Sequence, residues 1–457
     1  MNEAVTEAGS AGALRVTHCV GFYFPEKIGG TEVYVRDLAT ALSGFSVHST
    51  VIAATDRNAE EYVWAQTPVV RYPTNWADLR GYSANAGRAG LTMFQQRVVD
   101  DAPDVFHLHS WTGGAGLRHL EQVAQLGIPC VVTMHVPSAL CLRGTMLLNG
   151  DRACDGRIRG QRCTQCWAIS RGLPGPLAFG VSLLPPINYM GGSLSSVWHR
   201  GATMLSGRAL AAEQAHDLRE MARHSVRIVA PSRWVAMALL ANGIDERKIV
   251  VSPQAVAEDL AARGARRTPP PPSRELRVGF IGRIESYKGV HVLLDAMKRL
   301  PRDVPIRLLV AGSGTEPGYL AEVAEKGRSD ARVEFLGSIT HDQVPAFLQR
   351  LDVLAVPSNY METGPLVVLE GFAFGLPVMG ADLGGISERI RDGVDGWLLP
   401  FNDSSAWARA MQAAALDRSE IARRVANVAV RRTMKDVARE MTNLYREIAQ
   451  PLISPAG

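Results

Sequence analysis

Short runs of β-branched and other apolar residues alternate along this chain with segments whose apolar positions recur every three or four residues. "RVTHCVGFYFP" (15–25) reads as a strand running into a loop, and "GGTEVYVRDLATALSG" (29–44) as a glycine turn that opens an amphipathic helix. Further strands are predicted in "HSTVIAAT" (48–55), "PDVFHLHS" (103–110), "PCVVTMH" (129–135), "SVRIVAPS" (225–232) and "KIVVSPQ" (248–254). Apolar runs of this length, spaced by helices, predict a parallel sheet covered on both faces.

The pattern breaks at "EDLAARGARRTPPPPSRE" (258–275), where four consecutive prolines after basic residues read as a stiff, solvated linker. It restarts with "LRVGFIGR" (276–283), "IRLLVAGSG" (306–314), "VEFLGS" (333–338), "LDVLAVPS" (351–358) and "LPVMGAD" (376–382). The predicted fold class is α/β: two Rossmann-like, doubly wound domains facing across a cleft, with a ligand at the C-terminal ends of the strands. The expected boundaries are a disordered tail at 1–12, an N-terminal domain at 13–257 interrupted by a cysteine-rich insertion at 137–200, the linker at 258–275 and a second domain at 276–430. Residues 431–457 are expected to form a C-terminal helix, with packing back on the first domain as one option.

Composition changes this picture little. At 457 residues the chain is too long for one core and suits two domains or three small ones. Hydrophobic residues at 46% and charged residues at 21% are ordinary for a globular protein, and a net charge of +4 is too mild to call for a nucleic-acid partner. No apolar run approaches the ~18–20 residues of a membrane span, and "MNEAVTEAGSAGALRV" lacks the basic and apolar regions of a secretion signal. The expected compartment is the cytoplasm, where thiols stay reduced and clustered cysteines point to metal before disulfide.

Candidate chemistry concentrates in "NYMETGPLVVLEGFAFGLPVMGADLGGISE" (359–388). Pro365 suits the first turn of a helix, with Gly364 or Thr363 as its cap; Glu362 then lies in the loop before it and Glu370 about a turn and a half inside. The amides of residues 364–367 would welcome a phosphate, and a carboxylate farther along could accept two hydrogen bonds from a ribose diol. On spacing alone, an ordinary loop glutamate and an exposed helix glutamate are equally good readings. "GRIESYKG" (282–289) places Arg283 and Lys288 at a strand-to-helix turn, a fork and a point charge suited to phosphate oxygens, with plain surface charge as the alternative. "GSGTEPG" (312–318) makes a poor dinucleotide fingerprint, because Pro317 stands where the third glycine belongs.

From about Leu276 to Pro400 these pieces resemble, in order and spacing, the retaining GT-B glycosyltransferases of family four: a G-R…K-G turn, a G-S-G strand end, "LDVLAVPS", E-x7-E and "LPVMGADLGGISERIRDGVDGWLL". "GGTEVYVRDLATAL" and "PDVFHLHS" extend the resemblance into the N-terminal half. It implies a hexosyltransferase that moves a glycosyl unit from a nucleoside diphosphate, UDP by default, to an acceptor hydroxyl with retained configuration. It also implies no catalytic metal: Arg283, beside Gly282, and Lys288 would stabilise the leaving diphosphate instead. Glu370 would hold the ribose hydroxyls and Glu362 would lie against the donor sugar, with Gly364, Pro365 and Leu366 at the nucleotide-facing helix start. Leu336 to Ile339, Ser338 included, would present backbone to the base. Gly29 and Gly30 would form a glycine loop near the phosphates or sugar, and His135 would end a strand beside the transferred sugar. Three positions depart from the family's pattern and imply an unusual donor or acceptor: Val136 replaces the usual Asp after His135, Thr363-Gly364-Pro365 follows the first glutamate, and "PQAV" (253–256) replaces "PNGV".

His107 and His109 share a strand face by period two. Packing or acceptor contact is their main reading, with His109 the acceptor-side candidate and a metal pair the lesser alternative. Cys141, Cys154, Cys163 and Cys166 have the spacing C-x12-C-x8-C-x2-C. They suit a structural zinc that replaces a small core and braces the acceptor side, with an iron–sulfur cluster or unligated thiols as alternatives. Cys19 and Cys130 fall in strand patterns and read as buried. Six arginines between 143 and 171 precede the apolar "GLPGPLAFGVSLLPPINYMGG" (172–192). Together they suit peripheral contact with an anionic membrane; a loop covering the insertion is the preferred alternative. Two rival functions use the same scaffold: a nucleotide-sugar epimerase, which needs no acceptor, and a nucleotide-sugar-binding protein without catalysis. The joint presence of Arg283, Lys288, Glu362 and Glu370 argues against the second.

Overall fold

The computed structural model describes residues 13–26, 29–75, 88–185, 205–268 and 273–449. The expected tail at 1–12, the four prolines of the expected linker and the apolar stretch beyond 185 lie outside the described residues. The chain divides into two compact units. One holds residues up to Thr133, 223–227 and the segment from Lys435; the other holds Met134–Ala222 and Ile228–Met434.

The first unit carries β1 (Leu14–Val20), β2 (Val47–Thr55), β3 (Glu60–Trp64), β4 (Thr67–Pro73), β5 (Val105–Leu108) and β6 (Cys130–Thr133), in the spatial order β6-β5-β1-β2-β4-β3. The pairings β5–β6, β1–β5, β1–β2 and β2–β4 are parallel. Val16, Cys19 and Val20 of β1 and every residue of β5 are at most 1% exposed, as strands buried on both faces must be. Cys130 is likewise buried. The antiparallel hairpin β3–β4 is absent from the sequence reading. Its two-residue turn, Ala65-Gln66, has φ of 47° and 66°, a primed turn built without the Asn or Gly that would announce it. Tyr445, on the helix Met434–Ala449, hydrogen-bonds His107 Nδ1 at 2.6 Å, so the C-terminal segment completes this unit's buried polar network.

In the second unit, β7 (Leu147–Leu148) and β8 (Arg152–Ala153) form a short antiparallel ribbon, and β9 (Arg227–Ala230) pairs in parallel with β10 (Ile249–Val251) from Ile228 onward. Six further strands make a sheet: β11 (Leu276–Ile281), β12 (Ile306–Ala311), β13 (Val333–Gly337), β14 (Val353–Val356), β15 (Val378–Ala381) and β16 (Gly396–Leu399). All their pairings are parallel, in the order β13-β12-β11-β14-β15-β16. The chain winds outward in both directions from β11 and β14, and at such a reversal an open sheet leaves a crevice beyond its strand ends. The start of the expected linker is instead a helix, Glu258–Ala265. Leu260 is buried there, and Gly264 packs so closely that a Cβ would fall 1.9 Å from the Ala373 carbonyl oxygen. An apolar face and a small contact residue outweighed the nearby prolines.

Gly289 ends the turn after β11 with φ of 75°, and a Cβ there would lie 2.0 Å from the Pro357 carbonyl oxygen. Gly375 has φ of 64° but nothing within 4 Å. Gly375→Ala should therefore cost only left-handed strain, about 1–2 kcal/mol, while Gly289→Ala should cost clearly more. Melting temperatures of the two variants check this; equal losses would remove the close approach at Gly289.

Candidate functional site

The turn after β11 is built to hold two cations. Gly282 and Arg283 lead into a single 3₁₀ turn, Ser286–Lys288, and then the helix Val290–Arg299. The G-S-G segment after β12 lies directly against this turn: a Cβ at Gly312 would stand 1.9 Å from the Gly282 carbonyl oxygen, and one at Gly314 2.0 Å from that of Ile284. Those glycines serve close backbone packing. Glu285, 4% exposed, locks the contact by accepting the Thr315 N–H at 2.8 Å and its hydroxyl at 3.0 Å. On this support Arg283 is exposed, its guanidinium 5.5 Å from the Tyr287 ring centre.

Lys288 reaches the loop that follows β14. Its Nζ donates to Glu362 Oε1 at 2.7 Å and to the Tyr360 hydroxyl at 3.1 Å. The same carboxylate accepts Ser358 Oγ at 2.8 Å on Oε1 and Tyr360 Oη at 2.6 Å on Oε2. Burial pushes the Glu362 carboxyl up, but the Lys288 charge and the hydrogen bonds from Lys288, Tyr360 and Ser358 outweigh it and hold the group below the usual carboxylate range. Burial and the neighbouring Glu362 charge hold the Tyr360 hydroxyl well above its ordinary range, so it remains a donor. Ser358 and Tyr360, four and two residues before Glu362, are site residues that motif reading missed.

The helix expected to begin at Pro365 spans Leu366–Ala373, with Pro365 as its N-cap at φ −77° and ψ 90°. Extended ψ at Pro365 keeps it outside the first turn, a correction of one residue. Glu370 is half-buried on this helix. Gly364 packs against the Gln254 side chain, which would have to shift to admit a Cβ 2.4 Å from its Oε1. Gln254 Nε2 lies 3.2 Å from His135 Nδ1, and the His135 carbonyl accepts Thr363 Oγ1 at 2.6 Å. His135 is thus drawn into the Glu362 loop, and burial lowers its ring to about 3, leaving it neutral. Gln254, the departure in "PQAV", is the residue that joins these pieces.

Backbone contacts complete the frame. The Glu362 carbonyl accepts Trp234 Nε1 at 2.8 Å and the Gly385 N–H at 2.7 Å. Glu388 accepts the N–H groups of Arg233 and Trp234 at 2.8 and 2.9 Å, capping the helix Arg233–Ala241. At the end of β13, Ser338 is exposed and Ile339 half-buried. The four clustered cysteines line one small cavity, and all six cysteines of the chain are free. Leu177, Phe179 and Leu183 are exposed on the helix Gly175–Leu183. Among the described residues no helix is long and apolar enough to cross a membrane.

In the first unit, Gly29 caps the helix Gly30–Leu42, and its N–H donates to Glu32 Oε2 at 2.7 Å. That amide is therefore already engaged by the helix's own third residue. His109 is 1% exposed, its Nε2 3.0 Å from His18 Nδ1. With His107 these rings form a trio whose nitrogens come within 4.8 Å of one another. His18 also meets Ser49, and His107 meets Thr133 and Tyr445, so the trio belongs to a buried hydrogen-bond network.

A family model described as a glycosyl transferase 4-like domain matches residues 29–255, and one described as glycosyl transferases group 1 matches 264–432. A D-inositol 3-phosphate glycosyltransferase of Corynebacterium urealyticum is 34% identical over 228 residues, 45% of this chain and 53% of that protein. The chain spans about half the length, or less, of the curated relatives it matches. HepE of Anabaena, solved with UDP and glucose, has a TM-score of 0.59 at 16% identity, covering 96% of this chain and 100% of that one. The catalytic domain of starch synthase IV of Arabidopsis thaliana, bound to ADP and acarbose, has 0.60 at 15%, covering 96% and 99%. At these identities the likeness shows the fold, the two-domain GT-B arrangement.

Lys288→Met leaves a buried carboxylate unpaired and should cost about 3–5 kcal/mol at neutral pH. The lowered Glu362 group contributes stability above its ordinary value of 4.5 and loses it as pH falls through the folded value. The gap between wild type and variant should therefore be widest near pH 7 and shrink in acid. Urea titrations at pH 7 and pH 4 measure it; a gap independent of pH would contradict an ionised Glu362.

Proposed function

The chain belongs to the GT-B glycosyltransferases of family four, and on that premise we propose that it transfers a glycosyl unit from a nucleoside diphosphate sugar to an acceptor hydroxyl with retained configuration. The observation that carries the reading is the Lys288–Glu362 pair beyond the strand ends at the β11/β14 reversal, with Arg283 exposed on the same turn. Arg283 and Lys288 would take the charge that develops on the diphosphate as its bond to the anomeric carbon breaks, in place of a catalytic metal. Glu362, kept ionised and surrounded by donors, would accept hydroxyls of the donor sugar and hold its orientation. It is a poor nucleophile in that setting, which favours front-face substitution: the departing phosphate oxygen takes the acceptor's proton as the new bond forms. Glu370 would accept the ribose hydroxyls, and the Ser338–Ile339 backbone would meet the base. The donor-binding domain would then be residues 276–430. Exposed Leu177, Phe179 and Leu183 support contact between that helix and an apolar or membrane-held acceptor.

Melting the protein with UDP, GDP, ADP and TDP, beside Glu370→Ala, tests the donor site. A nucleotide at about 100 times its dissociation constant should stabilise the fold by about 2.7 kcal/mol, a shift of a few degrees, and the variant should lose it. No shift with any of the four in folded protein would overturn the reading. Arg283→Ala and Lys288→Ala, assayed below their melting temperatures, should each lower turnover at least ~100-fold; near-normal rates would remove their role.

A further inference from the structure

Four cysteines with no part in the proposed reaction line one small cavity of the second unit, together with Arg143, Arg157 and Arg162. Cys154 directly follows the β7–β8 ribbon, and Cys163 and Cys166, three residues apart, share one face of the helix Gly160–Ser170. The open space is about 20 Å³, room for one small body. Backbone N–H groups already point at the sulfurs: Asn149 donates to Cys166 Sγ at 3.2 Å and Arg159 to Cys163 Sγ at 3.3 Å. Two buried guanidinium nitrogens nearby, Nε of Arg143 and Nε of Arg162, have no partner. The rest of the Arg162 guanidinium is paired with Asp155 and reaches Cys154 Sγ at 3.9 Å, while Arg143 donates to the Cys166 carbonyl at 3.3 Å. N–H donors aimed at sulfur suit a thiolate-bound metal centre, which carries the negative charge that such donors stabilise. Among the described residues these cysteines are not one of the clusters whose ligand atoms come within 4.8 Å of one another. A zinc ion, with Zn–S near 2.3 Å, would draw them in to about 3.8 Å, whereas a cluster of iron and sulfide spans a wider set.

The same segment is fastened to the loop that carries Glu362. The Met361 N–H donates to the Thr145 carbonyl at 2.9 Å, between Cys141 and Cys154 in sequence. Past Cys154, Gly156 fits against Ala238, where a Cβ would come within 2.4 Å of the alanine's own, and its carbonyl accepts Asn242 Nδ2 at 2.8 Å. The Ile158 N–H donates to Asn242 Oδ1 at 2.9 Å. Ala238 belongs to the helix Arg233–Ala241, whose Trp234 holds the Glu362 carbonyl. We propose that Cys141, Cys154, Cys163 and Cys166 bind a thiolate-held metal centre, zinc or iron–sulfur, which fixes the ribbon and helix that position Glu362. The metal site stands on its own residues; its effect on turnover rests on the glycosyl-transfer reading.

Elemental analysis of the full chain, purified without oxygen, comes first. About one zinc per chain, or iron with matching acid-labile sulfide, is expected, and Cys163→Ser/Cys166→Ser should lose it. Folded wild type with neither zinc nor iron overturns the site. For the positioning role, turnover of the double variant should fall about tenfold or more while its dissociation constant for the nucleoside diphosphate stays within about twofold, because the nucleotide contacts lie elsewhere. Unchanged turnover in metal-free protein, or equal losses in turnover and nucleotide affinity, overturns that role. Should the variant not fold, removal of the metal from wild type by chelation and its restoration give the same comparison. Absence of turnover in metal-loaded wild type would count against the reaction and leave the elemental analysis to decide the site.

Discussion

The Lys288–Glu362 ion pair joins the turn after β11 to the loop after β14 at a depth where either charge alone would cost several kcal/mol. Each therefore requires the other, and the two segments that carry them must arrive together. The closeness of Gly312 and Gly314 to the turn serves this requirement, and so do the Glu285 contacts to Thr315. Ser358 and Tyr360 fill the remaining acceptor capacity of the carboxylate, which lets it stay ionised while buried.

The backbone of the same loop is held from several directions. Trp234 and Gly385 take the Glu362 carbonyl, Thr145 takes the Met361 amide, and His135 receives the Thr363 hydroxyl. Glu388 caps the helix that supplies Trp234, so the G-G-I-S-E-R segment acts on the site through a helix start far from it in sequence. A carboxylate fixed by this many contacts needs little reorganisation to meet a sugar, which is what electrostatic preorganisation demands. His135, buried and neutral, is a poor proton carrier near pH 7 and a good shape element.

Most strands of the two sheets were legible because buried parallel strands must be continuously apolar, though β3, β4 and β16 were not anticipated. The turn, the G-S-G end and the two glutamates stood out through their resemblance to the family's pattern, since spacing alone left them open. Ser358 and Tyr360 escaped notice because hydroxyl donors carry no pattern until their acceptor is known to be buried. Gln254 and Glu388 escaped because their partners, His135 and Arg233, are distant in sequence and only the fold brings them close. The β3–β4 turn hides behind Ala65 and Gln66, and Glu258–Ala265 behind its prolines. Gly29, which the resemblance places with Gly30 in a loop near the phosphates or sugar, has a feature that the sequence did not announce: its amide donates to the helix's own Glu32.

The most direct test of the account is calorimetric titration of the preferred nucleoside diphosphate, and of its bare nucleoside, into wild type and Arg283→Ala. If the turn after β11 holds the diphosphate, wild type binds the diphosphate far more tightly than the nucleoside, and the variant narrows that ratio by about tenfold or more while its affinity for the nucleoside is unchanged. A variant that keeps the full ratio would show that the diphosphate lies elsewhere, and the assignment of this site would fall with it.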